Sequence, residues 1–143
     1  MRTKRRPDPA VEVLAGYAAD NRGSGIAYAR VTGARSRGLL RVGFRVGLSG
    51  ALADRAAGYA ALTAISRALC KRGFRNVRFI LGDPDFVEEI ASRRGIGEAL
   101  ALAYVRLRCA LNSLATFDVR SGAADDLTQR ARAEVALNLA AGR

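Results

Sequence analysis

The alternation of hydrophobic and polar positions in the first third of the chain predicts three β-strands. It is clearest over residues 39–46, where apolar and basic side chains take opposite faces. The apolar face comprises Leu40, Val42, Phe44 and Val46, and the other face carries Arg41 and Arg45. Residues 11–18 and 26–31 are the other two candidates, separated by the turn-forming run 20–25. Short loops between all three strands predict an antiparallel meander.

After this meander the apolar residues recur at the helical spacing. From Asp54 to Arg72 they lie three and four positions apart, and Gly73 is placed to end the helix. The remaining predicted elements are a strand at 76–81, a short helix to about 94, a helix at 98–112, a strand at 116–119 and a helix at 123–141. A helix before the fourth strand predicts that this strand runs parallel to the first.

This order predicts an α/β fold with a mixed five-stranded sheet, in which three antiparallel strands are followed by parallel additions and helices cover both faces. One residue does not suit its predicted element. Gly58 lies inside the first long helix, in the stretch ADRAAGYAALTAI. Glycine within a helix costs about 1 kcal/mol relative to alanine, so its presence there requires an explanation.

Four segments carry recognisable residues in the order of these elements. They are LAGYAADNRGSGIAYARV, AAGYAALTAISRAL, VRFILGDPDFVEEI and AADDLTQRARAEVAL. Together they resemble the ribonuclease H-like superfamily, in its type 1 ribonuclease H branch, across about residues 10–141. We therefore expect a ribonuclease H-like domain at residues 10–143, preceded by a basic arm at residues 1–9 that we expect to be disordered.

The resemblance implies an active site in which four carboxylates hold two divalent ions that cleave RNA in an RNA–DNA hybrid. The four corresponding positions here are Ala15, Gly58, Asp83 and Asp125, so two of the four acids are missing. The resemblance therefore implies a degenerate active site with no complete set of catalytic residues. Asp83 and Asp125 remain candidates for residual metal binding, and Mg²⁺ or Mn²⁺ is implied only if the chain is an enzyme.

Both remaining aspartates also have structural explanations. Asp83 precedes Pro84, an arrangement typical of an N-cap followed by the first residue of a helix. Asp125 falls in the first turn of the last helix, where a negative charge interacts favourably with the helix dipole. Asp54 lies one helical turn before Gly58 and is the acid placed best to approach the site from elsewhere.

Charge is the strongest compositional signal, with 24 basic residues against 13 acidic ones and a net charge of +11. This favours a polyanionic partner, although arginine, alanine and glycine are also what a GC-rich genome encodes. The candidate nucleic-acid contacts are Arg5, Arg6, Arg22, Arg35, Arg37 and Arg55. The backbone amides of the glycine-rich turn 21–25 are further candidates for approaching a nucleic-acid backbone.

The chain contains no histidine, which excludes histidine metal sites and histidine-based nucleophile pairs. Cys70 and Cys109 lack a CxxC spacing, and we expect them to be buried thiols of a reducing compartment. No apolar run is long enough to span a membrane, and the N-terminus is a poor signal peptide. These observations favour a cytoplasmic protein with no membrane partner.

The sequence thus predicts a non-catalytic protein that binds nucleic acid, either RNA or an RNA–DNA hybrid. It would serve as a basic subunit of a nucleoprotein assembly, with possible protein partners there. Two alternatives stay open: a divergent metal-dependent ribonuclease H that cleaves hybrids, and a structural module for protein interaction. The loss of two acids together with the positive charge favours binding over turnover.

Overall fold

A computed structural model describes residues 10–94 and 96–141. The predicted basic arm, with Arg5 and Arg6, lies outside the described residues. Within them lie five strands and four helices. In chain order these are β1 (Val11–Ala19), β2 (Ser24–Thr32), β3 (Arg37–Arg45), α1 (Ala53–Lys71), β4 (Asn76–Leu81), α2 (Pro84–Ser92), α3 (Glu98–Asn112), β5 (Thr116–Ser121) and α4 (Asp125–Ala140). The predicted order is confirmed, and a 3₁₀ turn at Gly50–Leu52 precedes α1.

The five strands form one mixed sheet in the order β3-β2-β1-β4-β5. β1 pairs antiparallel with β2 and parallel with β4. β3 pairs antiparallel with β2, and β5 pairs parallel with β4. The strands β1, β4 and β5 therefore all end at one edge of the sheet, which we call the carboxyl edge. The turn between β2 and β3 lies at the other end of these strands, which we call the opposite edge.

Helices cover both faces of the sheet, as the sequence predicts. The larger core lies under α1, α2 and α3, and it receives Val13 and Ala15 from β1 together with the predicted apolar face of β3. The smaller core lies under α4 and centres on Tyr28, Leu127 and Ala131. This division follows from the pleat, because alternate residues of a strand face opposite sides of the sheet.

Polar contacts hold α4 to the sheet, since only two of its residues are buried. Tyr28 donates a hydrogen bond of 2.7 Å to Glu134, whose carboxylate also accepts from the Arg41 guanidinium at 2.9 Å. Arg30 pairs with Asp126 at 2.8 Å. α4 therefore docks on the face of the sheet that carries Tyr28 and Arg30 of β2 and Arg41 of β3.

Cys70 and Cys109 are both exposed, so the expectation that they are buried is wrong. Each cysteine lies next to a residue that faces the core. Leu69 is buried beside Cys70, and Ala110 is buried beside Cys109. Successive helical positions differ by about 100° in direction, so a small residue next to a core position can face solvent. Among the described residues, no helix has the length and apolar character needed to cross a membrane.

Candidate functional site

A pocket of about 430 Å³ opens at the carboxyl edge, where β1, β4 and the starts of α1 and α4 meet. Ala15, Asp83 and Asp125 line this pocket, so the structure brings three of the four predicted site positions together. Asp54 also lines it, from the first turn of α1. We refer to this cavity as the carboxyl-edge pocket.

The fourth position, Gly58, is buried behind this pocket by close packing. A Cβ atom at Gly58 would lie 2.7 Å from Cε2 of Phe86 and 2.8 Å from the hydroxyl oxygen of Tyr17. Both distances are shorter than real Cβ contacts, so no larger residue fits without movement of an aromatic ring. The glycine in α1 is therefore explained by two aromatic side chains that occupy the space in which a glutamate would otherwise lie.

Tyr17 lines the carboxyl-edge pocket and is largely buried. Burial raises the pKa of its hydroxyl to about 12, and the nearby carboxylate of Asp83 adds to the increase. The hydroxyl is therefore neutral at physiological pH. Sequence reasoning missed this residue, although Tyr17 lies two positions after Ala15 on the same strand and so shares its face.

Asp83 acts as the N-cap of α2, as its position before Pro84 predicts. Its Oδ1 accepts hydrogen bonds from the backbone N–H of Asp85 at 3.1 Å and of Phe86 at 3.2 Å. Asp125 is the first residue of α4, where an acidic side chain stabilises the helix N-terminus. Both aspartates thus have roles in the fold that need no metal.

The residues present do not fit the two-metal centre that the resemblance implies. Mg²⁺ requires oxygen ligands in near-octahedral geometry, and the methyl group of Ala15 and the hydrogen of Gly58 supply none. Across residues 10–94 and 96–141, no group of three or more Asp, Glu, Cys or His side chains is arranged to hold a metal ion. Asp54, Asp83 and Asp125 line one pocket without forming such a group.

The charges around the carboxyl-edge pocket are also unsuited to direct phosphate binding. Its lining contains three aspartates and a single basic residue, Arg132. Without metal ions these carboxylates repel a phosphate group.

Backbone N–H groups of the glycine-rich turn between β1 and β2 donate hydrogen bonds within the turn itself. The Asp20 carboxylate accepts from the N–H groups of Arg22 at 2.8 Å and Ser24 at 3.0 Å, and the Gly23 N–H donates to the Asp20 carbonyl at 3.2 Å. These three N–H groups already have acceptors within the turn, and the expectation that the turn approaches a nucleic-acid backbone stays a prediction. Gly23 is required there because its φ is +85°.

The structure places the predicted arginine contacts in separate regions. Arg22 and Arg45 are both exposed at the carboxyl edge, and Arg45 donates to Ser24 Oγ at 3.0 Å. Arg35 and Arg37 flank the opposite edge, about 30 Å away along a nine-residue strand.

Arg55 differs from the other candidates because its side chain is only 24% exposed. It lies over the Phe86 ring at 5.4 Å and 4.0 Å from the Glu89 carboxylate. Arg55 therefore belongs to the packing between α1 and α2 more than to the surface. Sequence reasoning also missed Arg72, which shares a pocket with Arg35 and Arg37.

Comparison with solved structures identifies the fold. The chain is similar to ribonuclease H1 from the halophilic archaeon Halobacterium salinarum, with a TM-score of 0.66, 16% identity and coverage of 88% of this chain and 99% of that one. A Mycobacterium tuberculosis N-terminal ribonuclease H domain, solved as a fusion with maltose-binding protein, gives a TM-score of 0.66, 18% identity and coverage of 91% and 99%.

A third similar structure is LC11 ribonuclease H1 in complex with an RNA/DNA hybrid. Its TM-score is 0.65, with 14% identity and coverage of 87% of this chain and 97% of that one. No family model and no curated protein matches the sequence. The chain therefore has the ribonuclease H-like fold. What its candidate site can do follows from the residues that this chain itself carries there.

Proposed function

We propose that this protein is a non-catalytic member of the ribonuclease H-like fold that binds RNA or an RNA–DNA hybrid as a basic subunit of a nucleoprotein assembly. The observation that carries this proposal is the packing at Gly58. Where the fold's catalytic site needs an acid, Tyr17 and Phe86 fill the space. Ala15 removes a second acid from the same site, so the chain keeps the scaffold without its ligand set.

Charge and fold support the binding part of the proposal. The net charge is +11, and the similar LC11 ribonuclease H1 was solved with an RNA/DNA hybrid. At the carboxyl edge, Arg22 and Arg45 are exposed and form no ion pair within the described residues. Arginine pairs with phosphate through two parallel hydrogen bonds, so these two side chains suit backbone contacts.

Fluorescence anisotropy with a labelled 12-base-pair RNA–DNA hybrid tests the proposal, with a salt series and a gel assay for cleavage in Mg²⁺ and in Mn²⁺. We expect binding that weakens steeply with salt, because phosphate neutralisation releases counterions, and no cleavage with either ion. The double variant Arg22→Gln/Arg45→Gln should bind more weakly and with a shallower salt slope. The matched control Arg75→Gln/Arg94→Gln removes the same charge from two exposed arginines that form no ion pair within the described residues, and it should bind more tightly than that variant.

Two results would overturn the proposal: no binding of the hybrid even at the lowest salt, or specific cleavage by the folded protein. The second result would establish the other candidate, a divergent metal-dependent ribonuclease H. One observation favours that candidate, namely that Asp54, Asp83 and Asp125 line the same pocket. Cleavage of that origin must be lost in Asp83→Asn and Asp125→Asn, which separates it from a contaminating nuclease.

A further inference from the structure

A second pocket, of about 360 Å³, lies at the opposite edge between the β2–β3 turn and the end of α1. Three of its lining residues are arginines: Arg35 and Arg37 from the turn region, and Arg72 from the helix end. Its apolar lining includes Leu39 and Phe74. We call this cavity the three-arginine pocket.

The three arginines line the pocket without a compensating carboxylate in its lining. All three residues are exposed, the lining contains no acidic residue, and none of them forms an ion pair with any described residue. By contrast, Arg30 and Arg41 of the same hairpin each pair with a carboxylate of α4. Like charges gathered around one cavity repel each other, and a bound anion would relieve that repulsion.

We propose that the three-arginine pocket binds a phosphate group. Guanidinium groups match the oxygen geometry of phosphate, and several of them can share one phosphate. Leu39 is 42% exposed and lies with Phe74 on the pocket wall, so an apolar surface is available for a sugar or base attached to the phosphate. The shared chemistry is a phosphate with an organic body, which either a nucleic-acid strand or a free mononucleotide provides.

This pocket is distinct from the carboxyl-edge pocket, because the two share no lining residue and lie towards opposite ends of the strands. The β2–β3 turn packs on the start of β1, since a Cβ at Gly33 would lie 2.8 Å from Cγ1 of Val11. The inference goes beyond the proposed function and does not require it.

Nuclear magnetic resonance titrations of the ¹⁵N-labelled full chain test this inference with four probes: inorganic phosphate, adenosine monophosphate, adenosine and a 12-nucleotide RNA. We expect the phosphate-bearing probes to shift amide signals of residues 31–40 and 72–74, and adenosine to shift none of them. Saturation by adenosine monophosphate identifies a free nucleotide as the source of the phosphate. Response to the RNA with only weak response to the mononucleotide identifies a nucleic-acid strand.

Variants locate the effect. Arg37→Gln/Arg72→Gln should weaken binding of the responding probe at least tenfold, and Arg35→Gln should weaken it less, while Arg22→Gln/Arg45→Gln should leave it unchanged. The inference is overturned if no phosphate-bearing probe shifts these signals, or if the pocket variants bind as tightly as the native chain. If hybrid binding is weakened only by the Arg22 and Arg45 substitutions, the proposed function stands and this pocket plays no part in it. If phosphate binds at this pocket but the hybrid does not bind, this inference stands and the proposed function is overturned.

Discussion

Substitution of Gly58 by alanine separates the two explanations for a glycine in a helix. Helix propensity alone predicts that Gly58→Ala stabilises the protein by about 1 kcal/mol, because alanine loses less backbone entropy on folding. Packing predicts the opposite sign. The new Cβ would lie 2.7 Å from the Phe86 ring and 2.8 Å from the Tyr17 hydroxyl oxygen, and Phe86 is fully buried in the core.

The magnitudes favour packing. An extra methyl group in a well-packed core typically costs about 1–3 kcal/mol, because neighbouring side chains must leave their preferred rotamers. The gain of about 1 kcal/mol in helix propensity offsets part of this cost. Gly58→Ala should therefore lower the free energy of unfolding by up to about 2 kcal/mol. Tyr17→Phe removes the oxygen of one close contact and leaves the Phe86 contact. The cost of Gly58→Ala should therefore be smaller in the Tyr17→Phe background, with a coupling of at least about 0.5 kcal/mol.

Urea unfolding followed by circular dichroism measures these differences, with a full double-mutant cycle over Gly58 and Tyr17. Ala133→Gly, at an exposed position inside α4, provides a calibration of helix propensity and should cost about 1 kcal/mol. If Gly58→Ala instead stabilises the protein by about the calibrated amount, the packing explanation is refuted. Strict additivity with Tyr17→Phe would show that the tyrosine hydroxyl does not occupy this space.

The remaining predictions concern pH. Because burial raises the pKa of Tyr17 from 10.0 to about 12, the unfolded chain ionises this group before the folded one, and stability present below pH 10 is lost between pH 10 and 12. The loss is about 3 kcal/mol, and urea midpoints across that range should fall less steeply in Tyr17→Phe; equal slopes would contradict the prediction. The hydrogen bond from Arg41 lowers the pKa of Glu134 below 4.5, so its contribution is present at neutral pH and lost as pH falls through the folded value. Glu134→Gln should cost up to about 1 kcal/mol at neutral pH and low salt, and the difference from the native chain should vanish in acid; a constant difference down to pH 2 would argue against it.

Local chemistry made much of the fold predictable from the sequence. Gly73 adopts a φ of +86° directly after α1, a conformation that glycine favours, and Asp83 with Pro84 begins α2 as its residue types indicate. Element ends were less well determined. The strand predicted at 116–119 continues to Ser121, because pairing with Leu81 of β4 extends the ladder past the apolar residues.

The candidate site was predictable in position but not in content. The resemblance locates Ala15, Gly58, Asp83 and Asp125, and in the structure residues at three of these positions line one pocket. The occupant of the space at Gly58 was not predictable, since Tyr17 and Phe86 reach it from different elements far apart in the chain. By contrast, the predicted antiparallel meander already implied that Arg22 and Arg37 lie at opposite ends of the sheet, because the two residues fall in successive turns.

The sequence by itself determined the order and type of the elements, the missing acids and the strong positive charge, because periodicity, turn residues and residue identity are local properties of a chain. The tertiary structure alone decided which side chains fill the space left by those acids, which arginines are neutralised by α4 and which three surround a common pocket. Those outcomes depend on contacts between residues distant in sequence, and such contacts are set by how helices and strands pack rather than by the pattern within any one of them.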